Sequence, residues 1–313
     1  KKNRKNTKEL VKLKNLHDLI GAARILGSRK VCVAAAEDGE TIKAVRDAVS
    51  LGLVEGILVG DQAKITALCG VEELPRGMSV EHAASCVDAA FKAVSIVRAG
   101  EADVLMKGLI NTSDFLKAVL NPENGLRTDR LLSHLAAFEI PGEAKLIFHS
   151  DGGMNVLPRL EEKKAILKNA LDALHRLGIE NPNVAILAAN EKVDPKIPST
   201  VDAKAIVDAW KAGEFSRCVI EGPIAMDVAT SEAAAGHKGI RSAIAGKTDL
   251  FIFPSIEAGN IAGKLLMRYG RAKMAGIIVG AVKPIVLVSR SDDSFAKIAS
   301  IALACLASSR GIP

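Results

Sequence analysis

Aromatic residues are scarce in this 313-residue chain: they make up 3% of it, with one Trp and one Tyr. So few rings exclude the stacking platforms that hold single-stranded nucleic acid. No apolar run reaches the roughly 18 residues that a helix needs to span a bilayer. The five cysteines (Cys32, Cys69, Cys86, Cys218 and Cys305) are never closer than 17 residues, so no C-x-x-C metal or redox motif exists. They read as small apolar residues in a reducing compartment. Also missing are G-x-G-x-x-G, G-x-S-x-G and H-E-x-x-H. Gly246-Lys247-Thr248 resembles the end of a P-loop, but Arg241 stands where its first glycine belongs. The order is also inverted, because a P-loop needs a strand before it and a helix after it.

Net charge is concentrated rather than spread. The formal balance is +6, and residues 1–14 alone carry seven bases and one acid, so the remainder is neutral. A neutral body argues against a nucleic-acid or membrane-surface binder, which needs a basic face on the folded domain. The basic arm is not followed by an apolar stretch, so it does not read as a secretory signal, and the expected location is the cytoplasm.

What is present is an alternation. Short apolar runs predict strands at 30–36, 55–60, 102–108, 144–151, 183–190, 215–222 and 248–254. The run 276–289 reads as two strands divided near Lys283-Pro284. Most lack the period-two pattern of half-exposed strands, as expected where both faces are covered. Helical patterns fall at 40–51, 82–99, 112–120, 160–177, 201–211, 256–269 and 294–309, with Gly52, Gly100, Gly178 and Gly270 as stops. This alternation predicts a mostly parallel α/β architecture. The length predicts two domains, with a break near 120–128, where Asn121-Pro122-Glu123-Asn124-Gly125 is dense in turn formers.

Parallel α/β sheets bind ligands beyond the carboxyl ends of their strands. The residues there include Lys107-Gly108, His149-Ser150-Asp151, Glu221-Gly222-Pro223 and Ser289-Arg290. They offer glycine, hydroxyls and cations, which suits a phosphate-bearing anion. Lys107-Gly108, followed by Asn111 and Thr112 at a helix start, reads as an anion nest, with ordinary helix capping as the alternative. Ser289-Arg290 places a guanidinium beside a hydroxyl, suited to phosphate or a polarised carbonyl. Asp293 and Ser294 are good N-caps. Gly259 leaves room for close backbone approach, and Asn260, Gly263 and Lys264 share a helix face; helix packing through the two glycines is the alternative. Lys283, in an apolar stretch, should face the cleft or lie at a strand edge.

These segments together resemble the phosphate acetyl/butyryl transferase family, and more closely its butyryl branch. The resemblance rests on Met106-Lys107-Gly108 through Phe115, Gly125-Leu126-Arg127-Thr128, Ser133-His134 and Asp151-Gly-Gly-Met-Asn155. It continues with Glu221-Gly222-Pro223 through Asp227, Gly259-Asn260 with Lys264, Val279-Gly280-Ala281 and Val288-Ser289-Arg290. It implies two three-layer α/β/α domains with mostly parallel sheets, isocitrate/isopropylmalate dehydrogenase-like, with the active-site cleft between them. The first domain would comprise 1–126 plus 280–313, and the second 127–279. The implied reaction is butyryl-CoA plus phosphate giving butyryl phosphate plus CoA, in a homodimer or higher homo-oligomer, without metal and with CoA only as substrate. The resemblance gives Ser289 and Arg290 carbonyl and phosphate stabilisation. Asp292 and Asp293 are the candidate bases, since Ala296 occupies the position of the acetyl branch's proposed Asp. Lys107, Gly108, Asn111, Thr112, Lys117, Gly259, Asn260, Lys264 and Lys283 would contact phosphate or CoA. An acetyl substrate is the first rival. A metal-dependent dehydrogenase of the same fold is more distant, because no aspartate cluster lies at the strand ends.

Overall fold

The computed structural model describes residues 13–70, 74–288 and 293–308. Two compact units emerge, Lys1–Arg130 with Ala275–Pro313, and Leu131–Met274. In chain order the first unit begins α1 (Leu16–Ile25), β1 (Arg29–Ala34), α2 (Gly39–Ser50), β2 (Val54–Gly60), α3 (Gln62–Cys69) and β3 (Met78–His82). It continues α4 (Cys86–Arg98), β4 (Val104–Lys107) and α5 (Thr112–Val119). The second unit holds β5 (Ser133–Glu139), β6 (Ile147–Ser150), α6 (Leu160–Arg176), β7 (Asn183–Leu187), α7 (Pro198–Lys211) and β8 (Val219–Ile224). After these come α8 (Met226–Thr230), α9 (Glu232–His237), β9 (Leu250–Ile252) and α10 (Ile256–Arg268). The chain then returns to the first unit through β10 (Lys273–Val279), β11 (Ile285–Val286) and α11 (Ser294–Ser308).

In the first unit the strands lie in the order β3-β2-β1-β4-β11-β10. All pair in parallel except β10 with β11. After Arg29 and Lys30, strand β1 is apolar, and its residues Val31 to Ala34 are wholly buried. Asp38 starts α2 by accepting from the Thr41 N–H at 3.0 Å, and Ser85 starts α4 by accepting from the Asp88 N–H at 3.1 Å. Helix α11 is buried from Lys297 to Ala307 and packs against α1 and α2, and its sequence, SFAKIASIALACLAS, is accordingly mostly apolar, with Lys297 as its one charge.

The second unit has the order β5-β6-β9-β7-β8, with β5 antiparallel to β6 and the others parallel. The expected strand and helix segments all hold an element. Strands β3 and β5 and helices α1, α3, α8 and α9 are additional to them. Of the expected glycine stops, Gly52, Gly100 and Gly178 take the left-handed conformation just past their helices. Gly270 does not. It is needed for space instead, since a Cβ there would lie 2.7 Å from the Leu266 carbonyl oxygen.

Candidate functional site

At the carboxyl edge of the first unit's sheet, β1 and β4 end side by side, with Ala34 in register with Lys107. The Gly108 N–H donates to the Ala34 carbonyl at 2.9 Å and the Leu109 N–H to that of Ala35 at 2.6 Å. Ala35 is buried and has a φ of 55°, rare for a residue with a Cβ. A Cβ on Gly108 would sit 2.2 Å from the Ala35 carbonyl oxygen, so only glycine lets β4 turn over the end of β1. Lys107 is buried, and its ammonium donates to the Gly108 carbonyl at 3.3 Å. This turn delivers the chain to α5. Its N-cap is Asn111, whose side chain makes no capping hydrogen bond. Thr112 is the first helical residue, so the cap position falls to Asn111 and no side-chain capping bond is made there. Asn111 and Thr112 are exposed at a helix start whose first N–H groups favour anions. Lys117 is one turn further on, exposed and paired with Asp114 at 2.9 Å.

Lys283 does not join this edge. Its ammonium is 3.6 Å from Asp103, just before the amino end of β4. The strand β11 runs parallel to β4 with Ile285 opposite Leu105. Lys283 is therefore level with Asp103, four residues or about 13 Å along the strand from Lys107. The half-buried Lys is neutralised by a carboxylate at the other end of the sheet. Asp293 accepts from the Ala296 N–H at 2.7 Å, so its carboxylate serves the start of α11. Ser289, Arg290 and Asp292 lie outside the described residues.

In the second unit the carboxyl edge is built around Asp151, which the sequence analysis placed at a strand end but gave no role. Its carboxylate accepts from the N–H groups of His134 (3.0 Å), Gly153 (2.7 Å) and Met154 (2.9 Å), and from the Asn155 amide (2.6 Å). Asn155 also donates to the Leu132 carbonyl at 2.9 Å. The signal in the sequence is the spacing: an acid followed by two glycines lets the carboxylate fold back onto the next N–H groups. Gly259 is buried against this loop, where a Cβ would lie 2.8 Å from the Gly152 Cα. The close approach expected of a ligand at Gly259 is thus made by the protein's own backbone. Gly263 likewise makes room for the Phe138 ring, at 3.2 Å. The Asn260 amide donates to the Gly152 carbonyl at 3.1 Å, while Lys264 is exposed on the same helix.

Other motif residues also serve the frame. Glu221 accepts from the Ser242 hydroxyl at 2.6 Å and the Ala243 N–H at 2.7 Å. A Cβ on Gly222 would lie 2.8 Å from that of Ile186. Exposed Lys238 bridges Asp227 and Glu191, which holds the Asp227 carboxyl below and the ammonium above their ordinary ranges. The Thr248 hydroxyl of the P-loop look-alike donates to the Ala229 carbonyl at 2.9 Å ahead of β9, not of a helix. Of two histidines here, His149 is buried and His134 half-buried. His149 packs against Phe138, Phe253 and Phe251 at ring distances of 4.5, 5.0 and 5.5 Å. Burial, with a smaller contribution from His134, pushes its pKa down to about 3. Burial also lowers that of His134, against the opposing pull of Asp151. Among the described residues no group of three or more His, Cys, Asp or Glu side chains could hold a metal, and no helix is long and apolar enough to cross a membrane.

The family model described as phosphate acetyl/butaryl transferase matches residues 72–305. A phosphate butyryltransferase of Clostridium acetobutylicum is 42% identical over 299 residues, which covers 94% of this chain and 98% of that protein. A phosphate acetyltransferase of Rhizobium meliloti is 38% identical, covering 93% of each. The crystal structure of a branched-chain phosphotransacylase from Enterococcus faecalis V583 superimposes with a TM-score of 0.79. It is 32% identical and covers 90% of this chain and 99% of that one.

Proposed function

This chain belongs to the phosphate acetyl/butyryl transferase family, and from that premise we propose that it transfers a butyryl group between coenzyme A and inorganic phosphate. The balanced reaction is butyryl-CoA plus phosphate giving butyryl phosphate plus CoA, by direct attack in a ternary complex. The observation that carries the reading is the near full-length similarity to a phosphate butyryltransferase. A second reading, an acetyl substrate, is favoured by the similar match to a phosphate acetyltransferase.

In either direction the attacked carbonyl becomes an oxyanion, so donors beside it matter; losing one costs on the order of 3 kcal/mol. In this reading Ser289 and Arg290 supply those donors and a planar fork for phosphate. Asn111 and the first N–H groups of α5 receive the anion, with Lys107 behind them and Lys117 one turn away. Lys283, neutralised by Asp103, takes no part. The CoA thiol, with an ordinary pKa of about 8.5, benefits from a base in the reverse direction. Asp293 is committed to α11, which leaves Asp292 as the candidate. The enzyme works in the cytoplasm as a homodimer or higher homo-oligomer, with CoA as substrate and no resident metal.

The test is phosphate-dependent release of free CoA thiol from butyryl-CoA. The reading expects release, and fails if no acyl-CoA from acetyl to valeryl gives any. Ser289→Ala and Arg290→Ala should each slow release at least tenfold; unchanged rates would reject their assignment. Comparing kcat/KM for acetyl- and butyryl-CoA separates the two substrates. Light scattering at assay concentration checks the oligomer, which a monomer mass would overturn.

A further inference from the structure

Unit 2 contains a cavity of about 380 Å³, lined in part by Gly246 and Thr248 of the P-loop look-alike. One wall is a face of the sheet. Ile147 and His149 alternate along β6, and Phe251 on β9 is the register partner of His149, so all three project to the same side. Ala262 of α10 and Met226 of α8 line it as well, and Lys145 and Thr248 line it at the amino ends of β6 and β9. The Asp151 hub and the Gly152–Gly259 contact lie at the opposite, carboxyl ends of those strands.

Glu143 lines the cavity as an exposed carboxylate at its rim, and of the remaining polar side chains only His149 is not spent within the protein. The Lys145 ammonium is paired with Asp249 and donates to the Lys247 carbonyl at 2.8 Å. The Thr248 hydroxyl is held by the Ala229 carbonyl. His149 is 4% exposed, and its Nδ1 has no hydrogen-bond partner. That nitrogen is shut off from solvent, so a molecule in the cavity would meet the ring through its other nitrogen, Nε2. The ring is neutral at neutral pH, so it offers one donor and one acceptor but no charge. A carboxylate ligand would therefore find no free cation among the described lining residues. A hydroxyl, which both donates and accepts, matches either tautomer of the ring.

We propose that this cavity binds a small, mostly apolar molecule carrying one hydroxyl group, an aliphatic alcohol or a phenol, whose hydroxyl bonds the His149 imidazole. The volume falls within the range of small-molecule pockets, and the apolar walls accept the rest of such a molecule. The proposal does not depend on the acyl-transfer reading.

The experiment is calorimetric titration of the whole protein with phenol, n-hexanol and toluene. Phenol and hexanol should bind saturably at one site per chain, with toluene at least fivefold weaker because it cannot reach the imidazole. Ala262→Phe, which fills the cavity, should abolish binding of all three, and His149→Phe should erase the preference for phenol over toluene. Equal affinity for phenol and toluene in the unaltered protein, or no saturable binding, overturns the proposal without recourse to any variant. Undiminished phenol binding by Ala262→Phe also overturns it. A crystal structure with phenol should show its oxygen within hydrogen-bond distance of His149, and phenol bound elsewhere would refute the assignment.

Discussion

The two units end their strands in opposite ways. At the carboxyl edge of the first, a glycine turn brings the chain to a helix whose N-cap side chain, Asn111, makes no capping bond. At the carboxyl edge of the second, the two carboxylates and Asn260 are taken up by the protein itself, while the buried Nδ1 of His134 and Oδ1 of Asn190 have no hydrogen-bond partner. Asp151 takes four N–H donors, Asn260 holds the Gly152 carbonyl, and Glu221 holds the 242–243 turn. A glycine-rich strand end can thus be an open nest or a closed brace. Composition alone does not tell them apart, because Lys-Gly and Asp-Gly-Gly are both turn sequences. The hydrogen-bond accounting does, since a buried polar group that is fully paired has nothing left for a ligand.

The contrast predicts a ranked set of effects. Removing the brace should do most: Asp151→Ala strands four donors and should cost about 4 kcal/mol. Urea unfolding measures it, and a loss below about 1 kcal/mol would mean the hub is ornamental. Gly108→Ala comes next, because its new Cβ meets backbone that cannot move aside. We expect about 3 kcal/mol and a Tm lower by about 8 °C, read by calorimetry. Third is the acid limb of stability. The folded pKa of His149, about 3, lies below its ordinary value near 6.5, so the unfolded chain binds the proton first as pH falls. Stability is then lost between about pH 6.5 and pH 3, by about 2 kcal/mol from pH 7 to pH 5. Denaturation midpoints across that range should show it, and His149→Phe should flatten most of it. Last is Lys283→Ala, which removes a part-buried pair and should cost about 0.5–1 kcal/mol, with phosphate-dependent activity within twofold. A tenfold loss of activity would return Lys283 to the site.

Much of the scaffold was legible because strands covered on both faces and amphipathic helices leave strong periodic signals. What escaped has physical reasons. Strand β5, Ser133–Glu139, is rich in alanine and holds no β-branched residue. Strand β3 is a short edge strand, with no residue fully buried. At the site, Lys107, Gly108, Asn111 and Thr112 were readable as one unit because they are adjacent in sequence. The roles of Gly259 and Asn260 were not, because their partner Gly152 is more than a hundred residues away. A still longer separation in sequence hides the Lys283–Asp103 pair. Asp293 was readable both ways, as cap or as base, and its bond to the Ala296 N–H favours the cap.

The central claim is that Asn111 belongs to the anion-binding edge while Asn260 belongs to the brace. Phosphate KM and Tm measured together on Asn111→Ala and Asn260→Ala test it most directly. The account predicts that Asn111→Ala raises the KM for phosphate at least tenfold with Tm unchanged, and that Asn260→Ala lowers Tm with KM within twofold. The reverse pattern, an unchanged KM in Asn111→Ala and a raised KM at constant Tm in Asn260→Ala, would contradict it.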